Sequence, residues 1–206
     1  MPYLVGLGAV VGLWIAAGVA TGTWSILKYV EGADGRPSTS KFQWLFWTMV
    51  VFFAYTVLYA ARARYGYLDE LPAIPQNVLL AMGFSAATMT AAKAITQSYL
   101  NGGKLKKPVP HPEDKKATAA SALVNDDDGS ADLSKIQMLG WTFLIAAIYL
   151  SRVVQIVGAY NLRDNDLTSL PDIDTALMVL MGLGHGAYVG KKAATTTPPQ
   201  PAAERV

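Results

Sequence analysis

Cysteine is absent from the 206 residues of this chain, and charged side chains make up only 16% of it. The lack of cysteine excludes disulfide bonds, thiolate nucleophiles and cysteine-based metal sites. An ordinary soluble domain is about 25% charged. The low fraction of charged residues in this chain therefore allows long uncharged stretches. Histidine occurs only at His111 and His185, and we find no catalytic motif around either of them.

Hydrophobic residues make up 52% of the chain and are gathered into five runs separated by charged connectors. A helix needs roughly 20 predominantly apolar residues to cross the hydrocarbon layer. The runs therefore predict five transmembrane helices, at 4–27, 42–61, 78–92, 136–151 and 173–190. The alternative is a soluble all-helical protein, which would need polar helix faces that the second run lacks. The first run predicts a retained helix rather than a cleaved signal peptide, because no Lys or Arg precedes it.

The basic residues are distributed unevenly between the two sides of such a membrane protein. With five spans, the connectors 28–41 and 93–135 share one side with the C-terminal tail. Together these segments hold thirteen of the seventeen Lys and Arg residues. Basic residues near helix ends stay cytoplasmic. The distribution therefore predicts an N-terminus outside and a C-terminus in the cytoplasm.

The chain contains an internal repeat. SKFQWLFWT at 40–48 returns as SKIQMLGWT at 134–142, and the segments 40–55 and 134–149 are identical at seven of sixteen positions. The residues that follow Leu71 also align with those that follow Leu170. The pattern predicts an all-α integral membrane protein with one leading helix and two two-helix hairpins, repeated in parallel. Inverted repeats are commoner in secondary transporters, so a parallel repeat argues slightly against transport.

These observations divide the chain into five segments. They are a leading transmembrane helix (1–30), a first hairpin repeat (38–100), a linker (101–133), a second hairpin repeat (134–193) and a tail (194–206). The linker and tail are rich in Pro, Ala and polar residues, a composition that predicts flexible cytoplasmic segments. The acidic stretch at 125–129 does not fit the register of a calcium-binding loop. Neither segment has the basic and aromatic pattern typical of nucleic-acid binding.

Recurrent polar and aromatic residues mark the start of the first helix in each hairpin. A serine followed three residues later by glutamine is the pattern of a capping box, in which each side chain bonds an unpaired backbone N–H. A tryptophan about one turn further on fits the aromatic belt at the membrane interface. We interpret these residues as structural caps and anchors rather than as a binding motif. They are Ser40, Gln43, Trp47, Ser134, Gln137 and Trp141.

Small residues recur every four positions in three of the predicted helices. This spacing lets two helix backbones approach closely in lipid, where association relies on van der Waals contact. The small residues are predicted either to pack the five helices together or to bind another subunit. They are Gly8, Gly12, Gly83, Ala87, Gly182, Gly186 and Gly190.

His185 is the one titratable residue well inside a predicted helix. Ionisable groups within the membrane are functional candidates, because they are costly to bury without a purpose. A proton relay or a cofactor ligand is one interpretation. The other is a neutral imidazole that bonds a neighbouring helix, and the scarcity of other titratable groups favours it.

The repeated unit S-K-x-Q-x-x-x-W-T, its Pro-led turn and the later L-x-x-M-G resemble uncharacterised bacterial inner-membrane proteins built on a Ser–Gln–Trp helix hairpin. The resemblance covers about 38–100 and 131–193. It implies a multi-pass protein of the bacterial inner membrane with no established activity. It carries over no functional residue.

Taken together, the sequence predicts a small non-enzymatic membrane protein that acts as an accessory or scaffold subunit of a membrane assembly. Its predicted partners are the lipid bilayer and either other membrane subunits or further copies of itself, with no nucleic acid, cofactor or metal. The alternative is an oligomeric channel or transporter. In that case Ser85, Thr88 and Thr90 of the third helix and His185 of the fifth would line the path.

Overall fold

The computed structural model describes residues 1–32, 37–101, 121, 123–125, 130–158 and 167–194. Within these ranges the chain is all-helical, as predicted, and its extended contacts are isolated bridges rather than strands. Most of the predicted linker 101–133 and nearly all of the predicted tail 194–206 lie outside the described residues. The long helices are α1 (Pro2–Thr21), α2 (Thr39–Arg64), α3 (Gln76–Asn101), α4 (Leu133–Gly158) and α5 (Thr175–Ala194).

Among the described residues, four helices are long and apolar enough to cross a membrane. They are α1, α2, α4 and the part of α3 that ends at Ser98. The remaining helix, α5, has 20 residues, like α1. Its apolar run is interrupted by His185 and closed by Lys191 and Lys192, so its composition alone does not mark it as a span. The fifth span therefore stays a prediction.

Four helices form a ring around the core. Helix α2 packs against α3, α3 against α5, α5 against α4, and α4 back against α2, while α1 lies on the outside of α2. Trp47, Leu58 and Ile145 are almost wholly buried in this core. The ring of Tyr149 meets that of Trp47 edge-on, with centroids 6.5 Å apart. Such close contacts stabilise the bundle through many small dispersion terms.

The closest contacts of helix α1 are made at two glycines that the four-residue spacing did not single out. A Cβ at Gly6 would collide with Val57 and would lie 3.0 Å from the ring of Phe53 in α2. A Cβ at Gly18 would lie 2.6 Å from the ring of Trp24, which folds back onto α1. The hydroxyl of Tyr3 donates to the carbonyl of Val154 in α4 at 3.1 Å. The N-terminal end of α1 therefore reaches across α2 to α4.

The described residues that lead into α2 and α4 form equivalent backbone contacts. The N–H of Ser38, which precedes α2, donates to the carbonyl of Val30 at 2.7 Å. The N–H of Asp132, which precedes α4, donates to the carbonyl of Val124 at 2.8 Å. We call residues 30–32 and 37–38, before α2, and residues 123–125 and 130–132, before α4, the two entry loops.

A lysine closes each entry loop from the helix that follows it. The ammonium of Lys41 donates to the carbonyl of Glu31 at 2.5 Å, and that of Lys135 donates to the carbonyl of Asn125 at 2.5 Å. Both bonds span ten residues. The two entry loops also meet, because the hydroxyl of Thr39 donates to the carbonyl of Leu123 at 2.8 Å. Helices α2 and α4 therefore begin at the same end of the bundle.

The connectors at the opposite end are joined by a buried cation. The guanidinium of Arg62 donates to the carbonyl of Tyr67 at 3.2 Å and to that of Leu167 at 2.9 Å. The N–H of Ala73 donates to the carbonyl of Thr168 at 2.9 Å. These bonds satisfy carbonyls of irregular backbone, which would be costly to leave unpaired when buried.

Candidate functional site

His185 points into the interior of the helix ring, where it meets two other helices. Its Nε2 lies 3.0 Å from Nε2 of Gln43 in α2. Its Nδ1 lies 2.6 Å from the hydroxyl of Thr88 in α3. Gln43 also donates to the hydroxyl of Thr142 in α4. We call Gln43, Thr88, Thr142 and His185 the polar cluster, and each of the four ring helices contributes one member.

With the amide of Gln43 in this orientation, the hydrogen bonds of the polar cluster select one tautomer of its imidazole. The amide nitrogen of Gln43 can only donate, so Nε2 of His185 accepts from it. The proton of a neutral ring then lies on Nδ1 and is donated to Thr88. This arrangement matches the interpretation of His185 as a neutral imidazole that bonds neighbouring helices.

The members of the polar cluster are sealed from the surroundings. Gln43 and Thr142 are 0% exposed, and Thr88 and His185 are each 4% exposed. The hydroxyl of Thr142 donates in turn to the carbonyl of Met138 at 2.9 Å, which leaves its oxygen free to accept from Gln43. Polar side chains buried between membrane helices stabilise and align them through such bonds. The cluster therefore fixes how the four helices fit together.

A glycine beside His185 sets the distance between α5 and α4. A Cβ at Gly184 would lie 3.5 Å from the Cα of Met138 and 3.8 Å from the ring of Trp141. A larger side chain would push α5 away from α4. On the other side, the ring of Phe84 lies 6.2 Å from the imidazole. The position of His185 thus depends on a close approach of two backbones.

Three buried polar atoms near the cluster have no hydrogen-bond partner in the described part of the chain. They are Oε1 of Gln43, Nε1 of Trp47 and the hydroxyl oxygen of Tyr149. The amide of Gln43 is therefore paired through its nitrogen and open through its oxygen. Each atom belongs to a residue that is at most 2% exposed. Among the described residues, the interior therefore holds a hydrogen-bonded network with one open amide oxygen and two further unpaired groups.

The expected capping boxes do not form, because both helices begin earlier than the serine pattern suggested. Helix α2 begins at Thr39, with Ser38 as its N-cap. Ser40 is buried inside the helix, with its hydroxyl 3.1 Å from that of Ser38. Gln43 lies too far along α2 to reach its N-cap and joins the polar cluster instead.

In α4 the cap is an aspartate. Oδ1 of Asp132 accepts from the N–H of Ser134 at 2.9 Å, from its hydroxyl at 2.6 Å and from the N–H of Lys135 at 3.4 Å. Lys191 of α5 lies 3.0 Å from the other carboxylate oxygen. Gln137, the expected second half of the box, is exposed.

The carboxylate of Asp132 is stabilised in its charged form. Burial alone would raise its pKa, but the hydrogen bonds from Ser134, Lys191 and Lys135 and the charge of Lys191 outweigh that effect. The net result is a pKa below the ordinary value for aspartate. The pair with Lys191 ties the start of α4 to the end of α5.

The two repeated tryptophans occupy different surroundings. Trp47 is 0% exposed and lies in the core, so it is not part of an interfacial belt. Trp141 is half-buried, beside Gly184. Helix α2 has neighbours on more of its circumference than α4, which explains why equivalent positions differ in burial.

Most of the predicted packing residues face outward rather than into the bundle. Those that are exposed are Gly8, Gly12, Gly83, Ala87, Gly186 and Gly190. Gly182 is half-buried, and a Cβ there would lie 3.6 Å from the ring of Phe84. The glycines with the closest contacts are Gly6 and Gly18, and Gly184 lies against the backbone of a neighbouring helix. Sequence spacing identified smooth helix surfaces but not which side of each helix is covered.

The residues proposed to line a path are divided by the fold. Ser85, Thr88 and His185 lie in the interior, whereas Thr90 is exposed. The hydroxyl of Ser85 donates to the carbonyl of Ala81 at 3.2 Å. No group of three or more His, Asp or Glu side chains comes together among the described residues. The absence of a catalytic, cofactor or metal site stays a prediction.

Comparison of the chain with protein-family models, curated proteins and solved structures finds no match. The resemblance to bacterial inner-membrane proteins with a Ser–Gln–Trp hairpin therefore stays a prediction. The inference of function rests on the apolar helices, the polar cluster and the outward-facing small residues.

Proposed function

We propose that this protein is a small non-enzymatic integral membrane protein of the bacterial inner membrane, acting as an accessory or scaffold subunit. It crosses the membrane five times, with its N-terminus outside and its C-terminus in the cytoplasm. The apolarity of α1 to α4 supports its membrane location.

The fifth span is supported by the packing of α5. This helix lies in the same ring as α2, α3 and α4, between α3 and α4. Its most polar central residue, His185, is directed inward and bonded on both ring nitrogens. Its two lysines stand at the C-terminal end, where long side chains can reach the headgroups.

The observation that carries the scaffold proposal is the contrast between interior and exterior. The polar cluster bonds its members to one another, and the small residues lie outside. Gly83 of α3 and Gly186 of α5 have nothing within 4 Å of the place where a Cβ would stand. In lipid, such smooth surfaces allow a second helix to come close.

Cross-linking in native membranes tests this proposal, and the natural absence of cysteine makes single thiols unambiguous. We expect Gly83→Cys and Gly186→Cys to form a discrete adduct with another membrane protein, identified by mass spectrometry. The matched control is Leu183→Cys on α5, which is 63% exposed but has a bulky native side chain. Equal yields of adduct from all three variants, or no adduct from any of them, would contradict the scaffold proposal.

The interior placement of Ser85, Thr88 and His185 favours the second candidate, an oligomeric channel or transporter. Reconstitution of the purified protein in liposomes separates the two. The scaffold proposal expects no ion flux above that of empty vesicles. Flux that His185→Ala abolishes, and that Thr90→Ala leaves unchanged, would establish the channel instead.

A further inference from the structure

The hydrogen bond between Gln43 and Thr142 joins the two hairpins through unlike positions of the repeat. In the alignment of 40–55 with 134–149, Gln43 corresponds to Gln137, and Thr142 corresponds to Thr48. The contact thus uses the glutamine of the first unit and the threonine of the second. The threonine of the first unit and the glutamine of the second are left over.

Thr48 and Gln137 carry the same functional groups as Thr142 and Gln43, but they are not bonded to each other. Gln137 is exposed, and its side chain forms no hydrogen bond with the part of the chain that the structure describes. The hydroxyl of Thr48 donates to the carbonyl of Trp44 at 2.9 Å, just as that of Thr142 donates to Met138 at 2.9 Å. Its oxygen can therefore accept a further hydrogen bond.

The residues around Gln137 on α4 are exposed, whereas the equivalent residues on α2 are buried. We call Gln137, Trp141, Leu144 and Ile148 the Gln137 face of α4. Leu144 is 47% exposed and Ile148 is 40% exposed. Their equivalents in α2, Val50 and Ala54, are 6% and 0% exposed, because the second hairpin helps to cover them.

The residues around Thr48 on α2 are exposed, whereas the equivalent residues on α4 are buried. We call Trp44, Thr48 and Phe52 the Thr48 face of α2. Trp44 is 38% exposed and Phe52 is 37% exposed. Their equivalents in α4, Met138 and Ala146, are 1% and 2% exposed. Helix α1 packs elsewhere on α2, against Phe53 and Val57, and leaves the Thr48 face open.

We propose that a second copy of this chain continues the internal interface, with the Gln137 face of one copy packed on the Thr48 face of the next. Gln137 of the first copy donates to Thr48 of the second, as Gln43 donates to Thr142 within one chain. This inference rests on the proposed membrane scaffold and names one of its partners. It concerns α2 and α4, not the small residues of α3 and α5.

The geometry of the chain gives this association a direction. Helices α2 and α4 begin at the same end of the bundle, so copies joined in this way all have the same orientation in the membrane. The two contacting faces differ, so the interface is head-to-tail. Such an interface generates a ring if the rotation closes and an open chain if it does not.

Paired thiols test the contact in membranes that contain the full-length protein. We expect Thr48→Cys/Gln137→Cys, treated with a short bis-methanethiosulfonate, to give a ladder of dimers and higher multimers. Either single variant alone should stay monomeric, because the two faces differ. A mixture of the two single variants, carrying different tags, should give dimers that contain both tags and nothing larger.

Two control pairs separate a specific contact from collision or poor reaction. Thr48→Cys/Leu183→Cys places the second thiol on the exposed outer side of α5 and should give no ladder. Asn77→Cys/Asp172→Cys replaces a pair joined within one chain at 3.1 Å and should give an intramolecular link, which checks the reach of the reagent.

Removal of the glutamine gives a second measurement. Gln137→Ala should weaken self-association about threefold, in line with the average interhelical hydrogen bond between membrane helices. Energy transfer between labelled copies in liposomes measures it, with Gln155→Ala, an exposed glutamine on α4, as the control. No ladder from the Thr48→Cys/Gln137→Cys pair, or dimers from Gln137→Cys alone, would overturn the head-to-tail contact. If the head-to-tail contact is absent but Gly186→Cys still forms its adduct, the further inference is wrong and the scaffold proposal is still supported.

Discussion

Gln43 shows how one side chain takes a different role from the one its local pattern suggests. A capping box needs its glutamine at the third position of the helix, facing the N-cap. Because α2 begins at Thr39 rather than later, the third position is occupied by Lys41, and Gln43 points into the core. Its amide then bonds both His185 and Thr142. A shift of two residues in the helix start thus converts a cap into the centre of a network.

His185→Ala should destabilise the bundle by about 1–3 kcal/mol, the usual cost of leaving buried hydrogen-bond partners unpaired. The substitution removes the acceptor of Gln43 and the partner of Thr88. Unfolding of the protein in mixed micelles by increasing denaturing detergent measures the effect. Thr90→Ala, at an exposed threonine of α3, should change the unfolding free energy by less than about 0.5 kcal/mol. Equal stability of the two variants would show that the polar cluster contributes nothing to the fold.

At the scale of the helix, the ends of a helix can be predicted from composition, but the face that its neighbours bury cannot. The uncharged runs predicted the positions of α1 to α4, because a change from apolar to charged residues is visible in composition. The covered side of each helix depends on its neighbours, which composition does not reveal. Gly184 was missed for this reason: it lies outside the four-residue spacing, yet it is the glycine that packs on Met138.

Gly184→Leu and Gly186→Leu form a matched pair on α5. The first places a large side chain against the backbone of Met138 and should destabilise the protein by about 1–3 kcal/mol through overpacking. The second adds the same side chain where nothing lies within 4 Å and should leave the monomer unchanged. Thermal unfolding of the detergent-solubilised monomers measures both. A destabilisation by Gly186→Leu as large as that by Gly184→Leu would contradict the outward direction of Gly186.

The cap of α4 should make stability depend on pH in the acid range. The pKa of Asp132 is lower in the folded protein than its ordinary value of 3.8, so its stabilisation is fully present above that ordinary value. It is lost as the pH falls through the folded pKa. Asp132→Ala should cost about 1 kcal/mol at neutral pH and reduce the loss of stability on acidification.

Unfolding measured from pH 7 down to about pH 3 checks this expectation. Glu70→Gln, at an exposed residue of the connector between α2 and α3, serves as the control. An Asp132→Ala protein with the same pH dependence as the native one would rule out Asp132 as the source of acid sensitivity.

For the molecule as a whole, the predicted all-helical architecture with apolar helices is confirmed, whereas the fifth span and the repeat arrangement stay predictions and the interior was not predicted. An all-helical chain with apolar helices followed from the composition and the uncharged runs. The polar cluster did not follow, because its four members are separated by up to 142 residues and meet only when the ring of helices closes. His185 was recognised from its position inside an apolar stretch, and Thr88 was grouped with it only in the channel alternative, whereas Gln43 was assigned to a cap. Its partners carry common polar side chains that have many other possible roles.

Whether α3 crosses the membrane, and in which direction, can be tested with accessible thiols in intact cells. Tyr67→Cys lies on an exposed connector and should react with a membrane-impermeant maleimide from outside. Ala131→Cys, exposed beside the start of α4, should react only after the inner membrane is permeabilised. The reverse pattern would invert the proposed orientation. Reaction of both thiols in intact cells would contradict the crossing of α3, which lies between them.

The two entry loops have a consequence for how such a chain can grow. Each hairpin starts from an entry loop and returns to the same end of the bundle, and each start is closed by its own lysine. A hairpin with its loop is therefore a building block that begins and finishes on one side. A third block joined after Ala194 would insert without reversing any existing helix. Duplication of a hairpin can therefore lengthen this chain without changing the direction of the helices already present.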